Sequence, residues 1–165
     1  IVQISTGEML REAVMSGTKL GLTVKLIMDK GDLVSDEVIM SIIEERIEKQ
    51  DCKNGFILDG FPRTLNQAKA LDDLLDIKKM KIDHIIEINV DQKLLINRIE
   101  NRAAENKNIR NDDNPDVLKN RIIIYNKDTL PVLNYYKKLD RLKSVDGTQS
   151  IDKVSNDIQK VIEKV

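Results

Sequence analysis

A single cysteine, Cys52, stands in 165 residues, so neither an intramolecular disulfide nor a cysteine-based zinc cluster can form. An excess of one charge is missing as well. Lys+Arg 27 against Asp+Glu 28 leaves a formal net charge of -1, which excludes the global basic field expected of a nucleic-acid binder. Any anion site must therefore be local. No apolar run approaches the roughly 20 residues that span a bilayer, and no signal-peptide pattern opens the sequence. No membrane partner and a reducing, cytoplasmic location are the resulting expectations. Internal repeats and low-complexity segments are absent too. His84, the only histidine, precedes an apolar run, a place for a surface or strand-edge side chain rather than a catalyst. What is present is ordinary: 41% hydrophobic and 33% charged residues, enough for one domain's core with small movable insertions.

The apolar residues alternate between short strand-like runs and longer helical stretches, the mark of an α/β protein with a parallel sheet. Strands are predicted over residues 1–4, 56–58, 85–90 and 142–145. Phe56, Ile57 and Leu58 run without a polar break, as in a strand covered on both faces. Ser5 with Glu8 three residues on predicts a capping box and a helix to about residue 16. A second helix carries Leu20, Val24, Ile27 and Met28 and ends at Gly31. Ser35 is the predicted cap of a third, with Asp36 and Glu37 complementing its dipole and Ile39, Ile42, Ile43 and Ile47 facing inward. Thr64 and Gln67 predict another capping box, ahead of Ala68, Leu71, Leu74 and Leu75. A helix is expected from Asp91 through Ile99. Between residues 101 and 114 the apolar signal disappears, which suggests a flexible flap. Pro115 suits the first turn of a long helix, Pro131 breaks it near residues 128–130, and Ser150 opens a final helix with Ile151, Val154, Ile158, Val161 and Ile162 on one face.

The informative stretch is Gly55 to Thr64. A buried-looking strand stops at Asp59, at the carboxyl end where open α/β sheets place their ligands. Gly60 permits close approach, Pro62 restricts the backbone, and Arg63 supplies a planar fork suited to phosphate. A carboxylate, a glycine and a guanidinium this close together form a site for an anion.

Asp59-Gly60-Phe61-Pro62-Arg63 resembles the signature of the nucleoside monophosphate kinases, and Thr64 after it resembles the adenylate kinase form rather than the UMP/CMP branch, which usually carries asparagine there. Ser5 to Arg11, Gly31 to Asp36 and Asp113 to Tyr125 follow in family order at family spacing, so the resemblance covers nearly the whole chain. It implies a P-loop NTPase-like parallel sheet flanked by helices. The first strand and its Gly-x-x-x-x-Gly-Lys phosphate loop are absent from this chain, with a missing start as the favoured explanation. In the family that strand lies mid-sheet, so two of the remaining strands are expected to lack a neighbour. The implied division is a core of residues 1–4, 35–100 and 113–165, a monophosphate-binding segment of 5–34, and a short lid of 101–112.

The resemblance also implies the chemistry: phosphoryl transfer from ATP to AMP giving two ADP, with Mg²⁺, by a monomer. Such transfer needs two polyanions held in line and their charge neutralised, so arginines should dominate. By motif, Arg11 and Arg63 hold the AMP phosphate, while Arg102, Arg110 and Arg121 close on the transferring phosphates. Arg98 and Arg102 lie four apart on one predicted helix face and belong to the ATP side, or else pair with carboxylates such as Glu105. Thr6 and Gln67 are the candidate base readers, although both also have capping explanations. Asp32, Leu33 and Val34 match the segment lining the AMP base, and Gly60, Phe61 and Pro62 complete that site. Gln149 falls where relatives contact the ATP base through backbone, and Asp59 is the candidate Mg²⁺ partner through water. A UMP/CMP kinase is disfavoured by Thr64 and Gln67. The rival from another class is a non-catalytic AMP-binding or scaffold protein that has lost its phosphate loop.

Overall fold

All four predicted strands form, each bound within a residue of its predicted place, in the computed structural model, which describes residues 1–17, 19–91 and 115–163. They are β1 (Val2–Ser5), β2 (Phe56–Asp59), β3 (Ile85–Asn89) and β4 (Leu142–Asp146). β1 runs parallel to β2 with Val2 opposite Phe56 and Ser5 opposite Asp59. β3 runs parallel to β4 with Ile85 opposite Leu142 and Asn89 opposite Asp146. These are two separate two-stranded sheets; among the described residues, each of the four strands pairs on one side only.

Parallel pairing requires long crossovers, and helices supply them. Between β1 and β2 run α1 (Thr6–Met15), α2 (Lys19–Asp29) and α3 (Asp36–Ile47), and between β2 and β3 runs α4 (Leu65–Ile77). α5 (Pro115–Ile124) begins on the proline, as predicted, and is followed by a widened π-helical stretch, Tyr125–Thr129, and by α6 (Leu130–Lys138). The predicted break thus takes the form of a wide turn just ahead of Pro131, whose missing N–H cannot continue the regular ladder. α7 (Ile151–Ile162) ends the described chain. The helix expected beyond Asp91, the flap of residues 101–114 and with it the lid of 101–112 lie outside the described residues.

The main core gathers Ile4, Val24, Ile39, Ile43, Ile47, Cys52, Leu71 and Leu75, so the inward stripes of α3 and α4 meet behind β1 and β2. A second cluster joins Ala68 of α4 to Val132 and Tyr136 of α6, with the Tyr135 hydroxyl donating to Asp72 at 2.9 Å. Cys52 is fully buried, and burial raises its thiol pKa, so it is an inert core residue.

Several expectations need correction. Ser5 precedes α1 but makes no side-chain cap, because it is still the last residue of β1, paired with Asp59. Ser35 stands at the start of α3 without a capping bond; Asp36 and Glu37 supply the negative charge there instead. Ile57 is 51% exposed: alternation sends Phe56 and Leu58 into the core, while the opposite face of β2 is left open by the described residues. The stripe expected on α7 is only half-covered: no residue of that helix is buried and Ile151 is 88% exposed, β4 being its principal neighbour among the described residues.

Two open strand edges carrying half-exposed isoleucines, Ile57 and Ile88, are an association hazard. The 165-residue polypeptide is expected to aggregate, since such edges offer unpaired N–H and C=O groups to a second copy. A sharp, reversible melt by circular dichroism at ordinary temperatures contradicts this.

Candidate active site

The site grows from the point where β2 ends. Gly60, directly after Asp59, takes φ +70°, a left-handed conformation that turns the chain back over the strand end. A Cβ there would lie 2.8 Å from an Arg63 Nη2, so glycine also lets the guanidinium fold against the backbone. Arg63 Nε donates to the Gly60 carbonyl at 2.7 Å. The Thr6 hydroxyl, buried in the first turn of α1, donates to the same carbonyl at 3.1 Å. Thr129, in the widened turn ahead of α6, donates its hydroxyl to the Arg63 carbonyl at 3.0 Å. Loop 60–64 is therefore held from α1 on one side and from the π-helical turn on the other.

The start of α4 holds it from below. Thr64 caps that helix by accepting from Gln67 N at 3.1 Å, as predicted. The return bond of the capping box is displaced by one residue, since Gln67 Oε1 accepts from Arg63 N at 2.7 Å. Gln67 Nε2 donates to Asp36 Oδ1 at 2.8 Å, and the Thr64 hydroxyl reaches both Asp36 oxygens at 3.1 Å.

These elements surround a cavity of about 330 Å³. Among the predicted site residues, Thr6, Arg11, Asp32, Leu33, Val34, Asp59, Gly60, Phe61, Arg63, Gln67 and Arg121 all line it. Arg11 comes from α1, Arg63 from the loop and Arg121 from α5, bringing three guanidinium groups to one space. The Arg63 pKa is pushed below the ordinary arginine value, first by the surrounding protein and then by Arg121 and Arg11, with Asp59 opposing. Arg63 also exposes surface to the cavity solvent. Each cation raises the energy of the others, and a bound dianion relieves all of them. Asp32 has a structural partner as well: Asn120 of α5 donates to its Oδ1 at 2.9 Å and to the Lys30 carbonyl at 2.8 Å, tying the end of α2 to α5.

Not every predicted residue arrives here. Pro62 lies in the loop, in a cis peptide with Phe61, but not on the cavity wall. Gln149 lines a different cavity, with Asp146 and Lys160. Arg98, Arg102 and Arg110 lie outside the described residues. The structure adds wall residues that sequence reasoning did not assign to the site: Ser5, Gly7, Leu10, Met28, Gly31 and Ile39. Ser5 and Gly7 flank Thr6 in the same motif, a signal that was available. Leu10, Met28 and Ile39 carry only the periodicity of core residues.

Asp59 carries the metal expectation. Its Oδ2 accepts from Gln3 Nε2 at 2.9 Å, which orients the carboxylate and leaves Oδ1 available. No group of three or more His, Cys, Asp or Glu side chains suited to a metal occurs among the described residues. One exposed carboxylate on the wall of a cavity lined by three arginines fits a cation that keeps most of its water, as Mg²⁺ does.

Parallel strands, flanking helices and three arginines around a polar cavity at a strand's carboxyl end define a nucleotide-phosphate-binding α/β protein. Residues 1–141 match the family model for adenylate kinase. A curated relative named adenylate kinase, from Xanthobacter autotrophicus, is 54% identical over 98% of this chain and 85% of its own length. Others of that name come from Azorhizobium caulinodans, at 50% identity over 99% of this chain and 86% of the relative, and Nitrobacter winogradskyi, at 49% over 99% and 82%. The chain belongs to the adenylate kinase family. The rival idea of a non-catalytic AMP-binding or scaffold protein finds no support among these relatives.

Proposed function

We propose that the arginine-lined cavity is the AMP site of an adenylate kinase, and that Arg11 and Arg63 hold the AMP phosphate while it attacks the terminal phosphorus of ATP. A phosphate oxygen of AMP forms the new P–O bond, the bond to the β-phosphate oxygen breaks, and two ADP result. The observation that carries this is the convergence of Arg11, Arg63 and Arg121 on one cavity with Thr6 and Gln67. The protein's task is positioning and charge neutralisation, for which forked cations in fixed places suffice. Arg121 is assigned to the transferring phosphoryl group, between the two nucleotides.

Thr6 and Gln67 are assigned to the base. The Thr6 proton is committed to the Gly60 carbonyl, so its hydroxyl oxygen acts as an acceptor. Asp32, Leu33 and Val34 line the base's apolar surroundings. Mg²⁺ bound with ATP neutralises phosphate charge, and Asp59 would hold it through water at Oδ1. Arg98, Arg102, Arg110 and Gln149 are assigned to the ATP side and lid on the family motif alone. The division into core, AMP-binding segment (5–34) and lid (101–112), and a monomeric state, rest on the same resemblance.

The assignment of Arg11 is tested by Arg11→Ala in the full-length protein. The KM for AMP is expected to rise about thirtyfold and that for ATP to change less than about twofold, since one charge-assisted phosphate contact is lost on one side only. Equal effects on both nucleotides, or none on AMP, would remove Arg11 from the AMP phosphate.

A further inference from the structure

We infer that Asp36 is a specificity-determining positioning residue: it locks the orientation of the Gln67 amide, and thereby the preference for a 6-aminopurine monophosphate. The inference rests on the base contact proposed for Gln67 and extends it to a residue so far given only a helix-dipole role.

The reasoning is donor-acceptor accounting. A glutamine amide is nearly symmetric in shape and opposite in polarity across its two ends, so a reader of bases needs something to fix which end is which. Here both ends are specified. A carboxylate accepts and does not donate, so Asp36 Oδ1, 2.8 Å away, can face only Nε2. A backbone N–H donates only, so Arg63 N, 2.7 Å away, can face only Oε1. Thr64 adds rigidity. Its hydroxyl donates to Asp36 and accepts from Gln67 N, so the carboxylate is held from the helix it orients. Gln67 is almost wholly buried, which makes a reversed amide costly because two polar contacts would fail at once.

One N–H and one oxygen lone pair of the amide are left for a ligand. An adenine edge presents an amino donor beside a ring-nitrogen acceptor and complements that pair. A 6-oxopurine places an acceptor where the amino group stands and meets the wrong polarity. Asp36 therefore acts on selectivity without touching the nucleotide. It also transmits position to the phosphate end, because the same amide holds Arg63 N.

The test compares AMP with IMP as phosphoryl acceptors in the full-length protein, reading the ratio of kcat/KM values. Asp36→Ala removes the restraint on Nε2 and leaves the amide held at Oε1 alone, by Arg63 N, and is expected to lower the AMP:IMP ratio about tenfold, through the KM for AMP more than through kcat, with the KM for ATP unchanged. Asp36→Asn keeps an acceptor oxygen at the same place and should retain the ratio to within about threefold. Where Asp36→Ala does not fold, Asp36→Ser replaces the carboxylate with a hydroxyl too short to reach Gln67 Nε2 from the same place, and the same fall is expected. Gln67→Ala is the control for the underlying assignment. If Gln67→Ala loses the ratio while Asp36→Ala and Asp36→Ser keep it, Asp36 has no part in selectivity and the inference fails. If Gln67→Ala itself keeps the ratio, the base contact of Gln67 is wrong and the inference falls with it. A fall in kcat alone, with both KM values and the ratio intact, assigns Asp36 a purely structural role and also overturns it.

Discussion

Replacing Arg63 with alanine is expected to lower turnover about a thousandfold or more, close to abolishing it, because the lost cation acts on charge held in a partly water-excluded site. Arg63 is oriented from its side chain, its amide and its carbonyl by Gly60, Gln67 and Thr129 respectively, so little reorganisation is needed when the phosphate arrives. Arg63→Lys is expected to recover only part of the loss, since an ammonium has no fork with which to bond Gly60 and a phosphate together. Stability should move the other way. Burial and the neighbouring Arg121 and Arg11 disfavour the cation at Arg63, with Asp59 opposing, so its removal relieves repulsion, and the melting temperature of Arg63→Ala should be unchanged or raised. Substantial retained activity refutes the role of Arg63. A fall in melting temperature large enough to account for the lost activity assigns it to structure instead.

The second large effect is expected at Gly60. Gly60→Ala must hold a side chain at φ +70°, costing about 1–2 kcal/mol, and its Cβ would meet Arg63 Nη2 at 2.8 Å. The guanidinium is the movable partner in that clash. It is expected to swing away and give up its bond to the Gly60 carbonyl, so activity should suffer more than stability. We expect kcat/KM for AMP to fall about a hundredfold, as for other misplacements of about an ångström at a reacting centre, with the melting temperature lowered by only a few degrees. Gly60→Val should be worse on both counts, the bulkier side chain tolerating the conformation less. If kcat/KM of Gly60→Ala stays within about threefold of the parent, close packing of Arg63 on the backbone is unimportant.

How far the sequence reached can be judged at particular residues. Capping by Thr64 was legible because its acceptor lies three residues away and the side chain has few other places to go. The same logic failed at Ser5, where strand pairing with a residue 54 positions later determines the backbone. Asp36 was read as a complement to a helix dipole; its bonds to Thr64 and Gln67 span 28 and 31 residues, and nothing local announces them. Ile57 was expected to be covered on both faces because a continuous apolar run cannot report whether anything packs on the second face.

The chain by itself determined the element order, strand and helix positions, and the motif that marks Arg63 as an anion ligand, because periodicity, capping and turn chemistry act over a few residues. Only the tertiary structure decided that Arg11, Arg63 and Arg121, separated by more than a hundred residues end to end, share one cavity, and that the Asp36 carboxylate joins a backbone N–H in setting the polarity of a buried amide. Parallel pairing and helix packing bring distant segments together at the ends of strands. Which side chains meet there depends on register and on the paths of the crossovers, neither of which is written in any local stretch.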